Sequence, residues 1–130
     1  MRTGRCTRRL LGHTSTVQAI AADASGRTAV SGAVDGSLVL WDLGSGRCVG
    51  RLQQESLGVP YVVMDCSGST AMSMSEGCPD LLRVWDIRRL VCTATHKCPA
   101  VNEPLQLLAS PDLTCVALLD SVQGRLEAWC

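Results

Sequence analysis

The chain has no phenylalanine, a single tyrosine and only three tryptophans among its 130 residues. A core made from it must rest on aliphatic and β-branched side chains. Neither sign of charge is in excess, since twelve Lys and Arg balance twelve Asp and Glu. No global field therefore draws the chain to nucleic acid or to an anionic membrane. Long apolar runs are missing too, none approaching the roughly 18 residues of a membrane-spanning helix. No useful length shows the 3.6-residue period of an amphipathic helix. There is no glycine-rich phosphate loop, and "GSGR" at 44–47 reads as a turn between strands.

Paired-cysteine motifs are absent as well. The eight cysteines, at 6, 48, 66, 78, 92, 98, 115 and 130, include no CxxC and follow no secretion signal. Several fall in strand-like runs such as "LVCTAT" and "TCVALL". The expectation is reduced thiols packed as small hydrophobes, in a cytoplasmic protein with the nucleus left open. The opening "MRTGRCTRRLLGH" carries four Arg and no acid but lacks an apolar h-region, so it reads as part of a repeat rather than as a targeting segment. Without interleaved aromatics, its arginines read as a solvated basic tail.

What is present is a period. Trp41, Trp85 and Trp129 stand 44 residues apart (41 to 85, 85 to 129), and the first two are followed by Asp42 and Asp86. "VQAIAADASGRTAVSGAVDGSLVLWD" aligns with "VPYVVMDCSGSTAMSMSEGCPDLLRVWD", matching Asp23 with Asp65, Gly26 with Gly68 and Ser31 with Ser73. A third copy, "PLQLLASPDLTCVALLDSVQGRLEAWC", places "SPD" at the turn. Each copy alternates short apolar runs with Gly, Asp and Ser turns, the pattern of antiparallel hairpins. The strands predicted are 17–22, 28–32, 37–42 and 47–52; then 59–65, 70–74, 81–86 and 90–95; then 104–109, 114–119 and 125–129.

A period of about 40–45 residues ending in Trp-Asp is the mark of a propeller blade. "LLGHTSTVQAI…TAVSGAVDGSLVLWD" closely resembles a WD-repeat unit, including Gly12-His13 and the Asp35-Gly36 turn. The resemblance implies an all-β, incomplete WD-repeat β-propeller of four-stranded antiparallel blades, spanning 1–130 as one partial domain. Its blades would be 17–52 and 59–95, with an incomplete blade at 104–130 and an outer strand of a preceding blade at 8–11. The second copy has Ser56-Leu57 near the place of Gly-His, and the third keeps only Trp129.

The resemblance also implies a structural tetrad of His13, Ser31, Asp35 and Trp41. Indole N–H only donates, whereas a hydroxyl and a neutral imidazole each donate and accept, so a Trp→Ser→His→Asp relay is expected. The same Ser31, His13 and Asp35 also read as a hydrolase set. That reading is disfavoured, because Ser31 lies mid-strand in "TAVSG" without a G-x-S-x-G elbow. "HKC" at 96–98 with Cys92 falls short of a four-ligand zinc site, so neither metal nor cofactor is expected. Trp85-Asp86-Ile87-Arg88 matches the WDxR pattern by which many WD-repeat substrate receptors dock on cullin-type ubiquitin-ligase adaptors, which makes Arg88 a candidate partner contact.

Closed propellers have about 4–8 blades. Three sets of strands leave a ring open, so further blades or another chain are expected to complete it. The function implied is a non-catalytic scaffold for other proteins or peptides, the WD-repeat portion of a larger intracellular protein, with no nucleic acid or membrane partner expected.

Overall fold

The computed structural model of the chain describes residues 4–54, 58–76, 78–97, 104–120 and 125–129. Within it every regular element is a strand. Leu38 and Leu40 join one apolar cluster while Val39 and Trp41, alternating with them, join another. That is the two-faced alternation of a strand buried on both sides.

The first sheet runs β1 (Val17–Ala22), β2 (Thr28–Ala33), β3 (Ser37–Asp42) and β4 (Arg47–Gln53), in that order and antiparallel throughout. The second repeats it with β5 (Tyr61–Met64), β6 (Thr70–Ser75), β7 (Cys78–Asp86) and β8 (Val91–Lys97). The third holds β9 (Pro104–Ala109), β10 (Val116–Asp120) and β11 (Arg125–Trp129). Register repeats as well. Trp41 stands opposite Ala29, Trp85 opposite Ala71 and Trp129 opposite Val116. A register shift falls directly before both Trp41 and Trp85 on the outer side.

The first turn of each sheet is held by one side chain. Asp23 Oδ1 accepts from the backbone N–H groups of Arg27 and Thr28, and Asp65 Oδ1 from those of Ser69 and Thr70. Ser110 Oγ takes that place in the third, accepting from Cys115 N–H at 2.9 Å. The fourth turn residue is left-handed in all three: Gly26, Gly68 and, without a glycine's freedom, Leu113 at φ 57°.

The sheets stack face to face. Val30, Leu38, Leu40 and Leu52 of the first meet Val59, Val62, Trp85 and Ile87. Met74 and Leu82 of the second meet Leu107 and Val116 of the third. Stacking is close enough that a Cβ on Gly32 would lie 2.6 Å from Val59 Cβ.

Several expectations shift. β5 begins at Tyr61, not 59, and β7 begins at Cys78, not 81. Residues 8–11 join no sheet; instead Leu10 packs on Trp41 and the Arg8 guanidinium donates to Ser45 O. The thiols depart furthest. Cys48, Cys66 and Cys92 are free but exposed, because β4 and β8 are outer strands and Cys66 is in a turn. Cys115 is disulfide-bonded, against the expectation of reduced thiols throughout. Among the described residues no helix is long and apolar enough to cross a membrane.

Candidate functional site

In the first sheet the hydrogen bonds form a continuous chain. Trp41 Nε1 donates to Ser31 Oγ at 2.8 Å, and Ser31 Oγ lies 2.6 Å from His13 Nε2. His13 Nδ1 lies 3.3 Å from Ser37 Oγ, which donates to Asp35 Oδ1 at 2.6 Å. The indole can only donate, so Ser31 must pass its own hydrogen on to Nε2. Nδ1–H then donates to Ser37, and every member is satisfied by a neutral imidazole. Burial pushes the His13 pKa down, the nearby Asp35 charge opposing it only in part. Asp35 is held below the usual carboxylate range by the Ser37 hydroxyl and backbone N–H. The expected direct His13–Asp35 contact is thus relayed by Ser37, a residue the pattern of four left out.

The second sheet builds the same pin from different residues. Trp85 Nε1 donates to Ser73 Oγ at 2.8 Å, and Ser73 donates to Gln54 Oε1 at 3.0 Å. Gln54 is buried and takes the part of His13, with Arg83 bridging it to Ser75 Oγ. Ser56 and Leu57, where the sequence placed the counterpart, lie outside the described residues. The signal was spacing: Gln54 precedes Ser73 by nearly the interval that separates His13 from Ser31. Among the described residues Gln54 Nε2 meets no acceptor, so this pin is less complete. In the third sheet Leu118 holds the register position of Ser31 and Ser73, and the side chain of Trp129 lies outside the described atoms.

The aspartates after tryptophan cap the outer turns. Asp42 Oδ1 accepts from Gly44 N–H and its Oδ2 from Ser45 Oγ. Asp86 Oδ1 accepts from the N–H groups of Arg88 and Arg89, both at 3.0 Å. The side chains of Arg88 and Arg27 are exposed, with no hydrogen bond or ion pair among the described residues. With Asp42, whose carboxylate is engaged by its own turn, they line a groove of about 320 Å³ between the first two sheets that also includes Leu40, Val49 and Leu90. His96 is exposed on β8, and Cys98 lies outside the described residues. Among those described, no group of three or more His, Cys, Asp and Glu is placed to hold a metal.

Antiparallel sheets stacked face to face and repeated in register make an incomplete β-propeller. The first repeat carries the decisive likeness: the family described as "WD domain, G-beta repeat" matches residues 4–42. Residues 4–42 are thus a WD repeat, and the two sheets that follow are similar to it in strand order and register. A search of curated proteins finds no match. WD-repeat domains in general are scaffolds that bind other proteins and are not catalysts.

Proposed function

We propose that this chain is a non-catalytic scaffold that takes an acidic protein segment in the groove between its first two sheets. The observation that carries the reading is the pair Arg27 and Arg88, both exposed and without a side-chain partner among the described residues, in one groove with Leu40, Val49 and Leu90. Guanidinium forks suit carboxylates, and apolar anchors supply the contact area between them. The relay residues His13, Ser31, Asp35 and Trp41 serve structure. Ser31 is buried, and its oxygen already accepts from an indole while its hydrogen goes to His13. A nucleophile needs exposure beside an oxyanion hole.

Selection of a random peptide library on the immobilised chain tests the reading. Enriched peptides should carry carboxylates around an apolar residue, and Arg88→Ala or Arg27→Ala should weaken them about fivefold or more. Equal binding by both variants, or hydrolysis of ester or peptide substrates that Ser31→Ala abolishes, would overturn it.

The match to WDxR favours a narrower reading, in which the acidic partner is a cullin-type ubiquitin-ligase adaptor. Its test is direct titration with a purified adaptor. Binding that Arg88→Ala leaves unaltered eliminates this version while leaving the broader one standing.

A further inference from the structure

The first two sheets repeat one backbone, so matching positions show which side chains the architecture requires and which it leaves free. Arg27 and Ser69 each give a backbone N–H to the aspartate of the first turn, as Gly44 and Arg88 do in the outer turns. Gly46 and Leu90 are both left-handed, at φ 75° and 58°. Val49 and Thr93 are the extra residues of matching β-bulges, passed over between Cys48 and Gly50 and between Cys92 and Ala94. The members of these pairs that line the groove are Arg27, Val49, Arg88 and Leu90. Their backbone roles are filled as well by serine, threonine or glycine, so the side chains are free to serve something else.

Val49 and Leu90 also run against local preference. A bulge re-aims its extra side chain. Thr93 uses that position to donate to Val84 O, whereas Val49 has no polar group to offer and stands 58% exposed. Leu90 holds a conformation in which its Cβ crowds the following carbonyl. It does so over Gly50, where an added Cβ would lie 2.6 Å from Leu90 Cδ1. Backbone strain of this kind gathers at ligand clamps. An exposed valine and a strained leucine thus share one groove with Leu40 and Ile87, both buried.

We propose that Val49 and Leu90 set the specificity of this groove, seating one branched aliphatic side chain of the acidic segment. The inference rests on the groove taking an acidic segment and adds the identity of the residue beside the carboxylates. A volume of about 320 Å³ is at the small end of ligand pockets, room for a single side chain with its flanking groups. Val49 and Leu90 offer methyl groups, which suit a branched side chain. Trp41 also lines the groove but is 2% exposed, so a planar side chain finds no open ring face to stack on.

Titration of the full chain with fluorescent pentapeptides Asp-Glu-X-Glu-Asp, X being Leu, Ala or Phe, tests this. The peptide with Leu should bind about tenfold tighter than those with Ala or Phe. Val49→Thr and Leu90→Gly introduce the residue types that the repeated backbone carries at Thr93 and Gly46, so neither is foreign to the fold. Each should cut the Leu-to-Ala ratio to about threefold or less and leave the affinity for the Ala peptide unchanged, a split that a merely structural role would not produce. Arg88→Ala should instead weaken all three peptides alike. Equal binding of the Leu, Ala and Phe peptides, still weakened by Arg88→Ala, overturns this inference and leaves the groove reading standing. So does a Leu preference that Val49→Thr and Leu90→Gly both preserve. Acidic peptides that fail to bind, or that bind regardless of Arg27→Ala and Arg88→Ala, overturn both.

Discussion

A tryptophan N–H has no alternative to donating, and that restriction sets the direction of every proton in the first sheet's relay. Removing the Ser31 hydroxyl leaves the Trp41 indole buried without an acceptor and His13 without its donor, a loss of about 1–3 kcal/mol. Ser31→Ala should therefore lower the urea midpoint, and Ser73→Ala should lower it less, because the Gln54 pin is already incomplete. The same geometry fixes a pH dependence. His13 is neutral in the folded chain, with its pKa below the ordinary value near 6.5 that it regains on unfolding. As pH falls through that ordinary value, the unfolded state takes up the proton first and stability declines, levelling only below the folded pKa. Urea midpoints at pH 7.5, 6.5 and 5.5 should drop in the native chain, and His13→Gln should flatten the slope. A second loss belongs to lower pH. Burial opposes ionisation of Asp23 and Asp65, but their hydroxyl and backbone N–H partners prevail and hold both below the usual range. Their contribution is complete above an ordinary pKa near 3.9 and fades beneath it.

At the scale of the element, the limiting features are the places where backbone meets backbone. Gly32 leaves no room for a side chain against Val59, whose Cβ, Cγ1 and carbonyl oxygen all crowd that point. Gly32→Val should cost about 1–3 kcal/mol or drive the first two sheets apart, read as a lowered denaturation midpoint. Gly44, whose added Cβ meets only an Asp42 carboxylate oxygen, should tolerate Ala far better. The first sheet was legible almost residue for residue, because its Asp-Gly turn, polar anchor and alternation all agree. The second was legible in its strands and not in its pin. Gln54 carries no motif, and only its distance from Ser73 sets it apart. Leu90 and Leu113 hid for a related reason. Both are left-handed, at φ 58° and 57°, where the first copy has Gly46 and Gly26. Their cost is offset by packing, Leu90 over Gly50 and Leu113 in a buried position. A turn that relies on tertiary contact leaves no local signature. Exposure of the cysteines was equally hidden, since an outer strand and an inner one look alike in composition.

Across the whole molecule, the two junctions are unequal. The first unites Val30, Leu38, Leu40, Leu52, Val59, Val62, Trp85 and Ile87 in one cluster, and a glutamine from β1 reaches over it, Gln18 accepting from Val59 N–H and donating to Glu76. The second rests on Met74, Leu82, Leu107 and Val116, with Tyr61 and Val63 partly covered. In a stack where each unit contacts only its neighbours, stability is close to a sum over units and junctions. Among the described residues the third sheet has three strands, one junction and no hydroxyl at the pin position, so it should open at lower free energy than the other two. Amide hydrogen exchange in the native chain isolates this behaviour. The amides of β10 should exchange ahead of those of β2 and β3. Met74→Ala removes the most buried side chain of the second junction, a change worth about 2–5 kcal/mol, and should strip the remaining protection from β9 and β10. It should leave β2 and β3 nearly untouched, because Met74 belongs to the second cluster and not to the first. Loss of protection in all three sheets together would mean that the stack melts as a single unit, and that the junctions are coupled beyond the nearest neighbour.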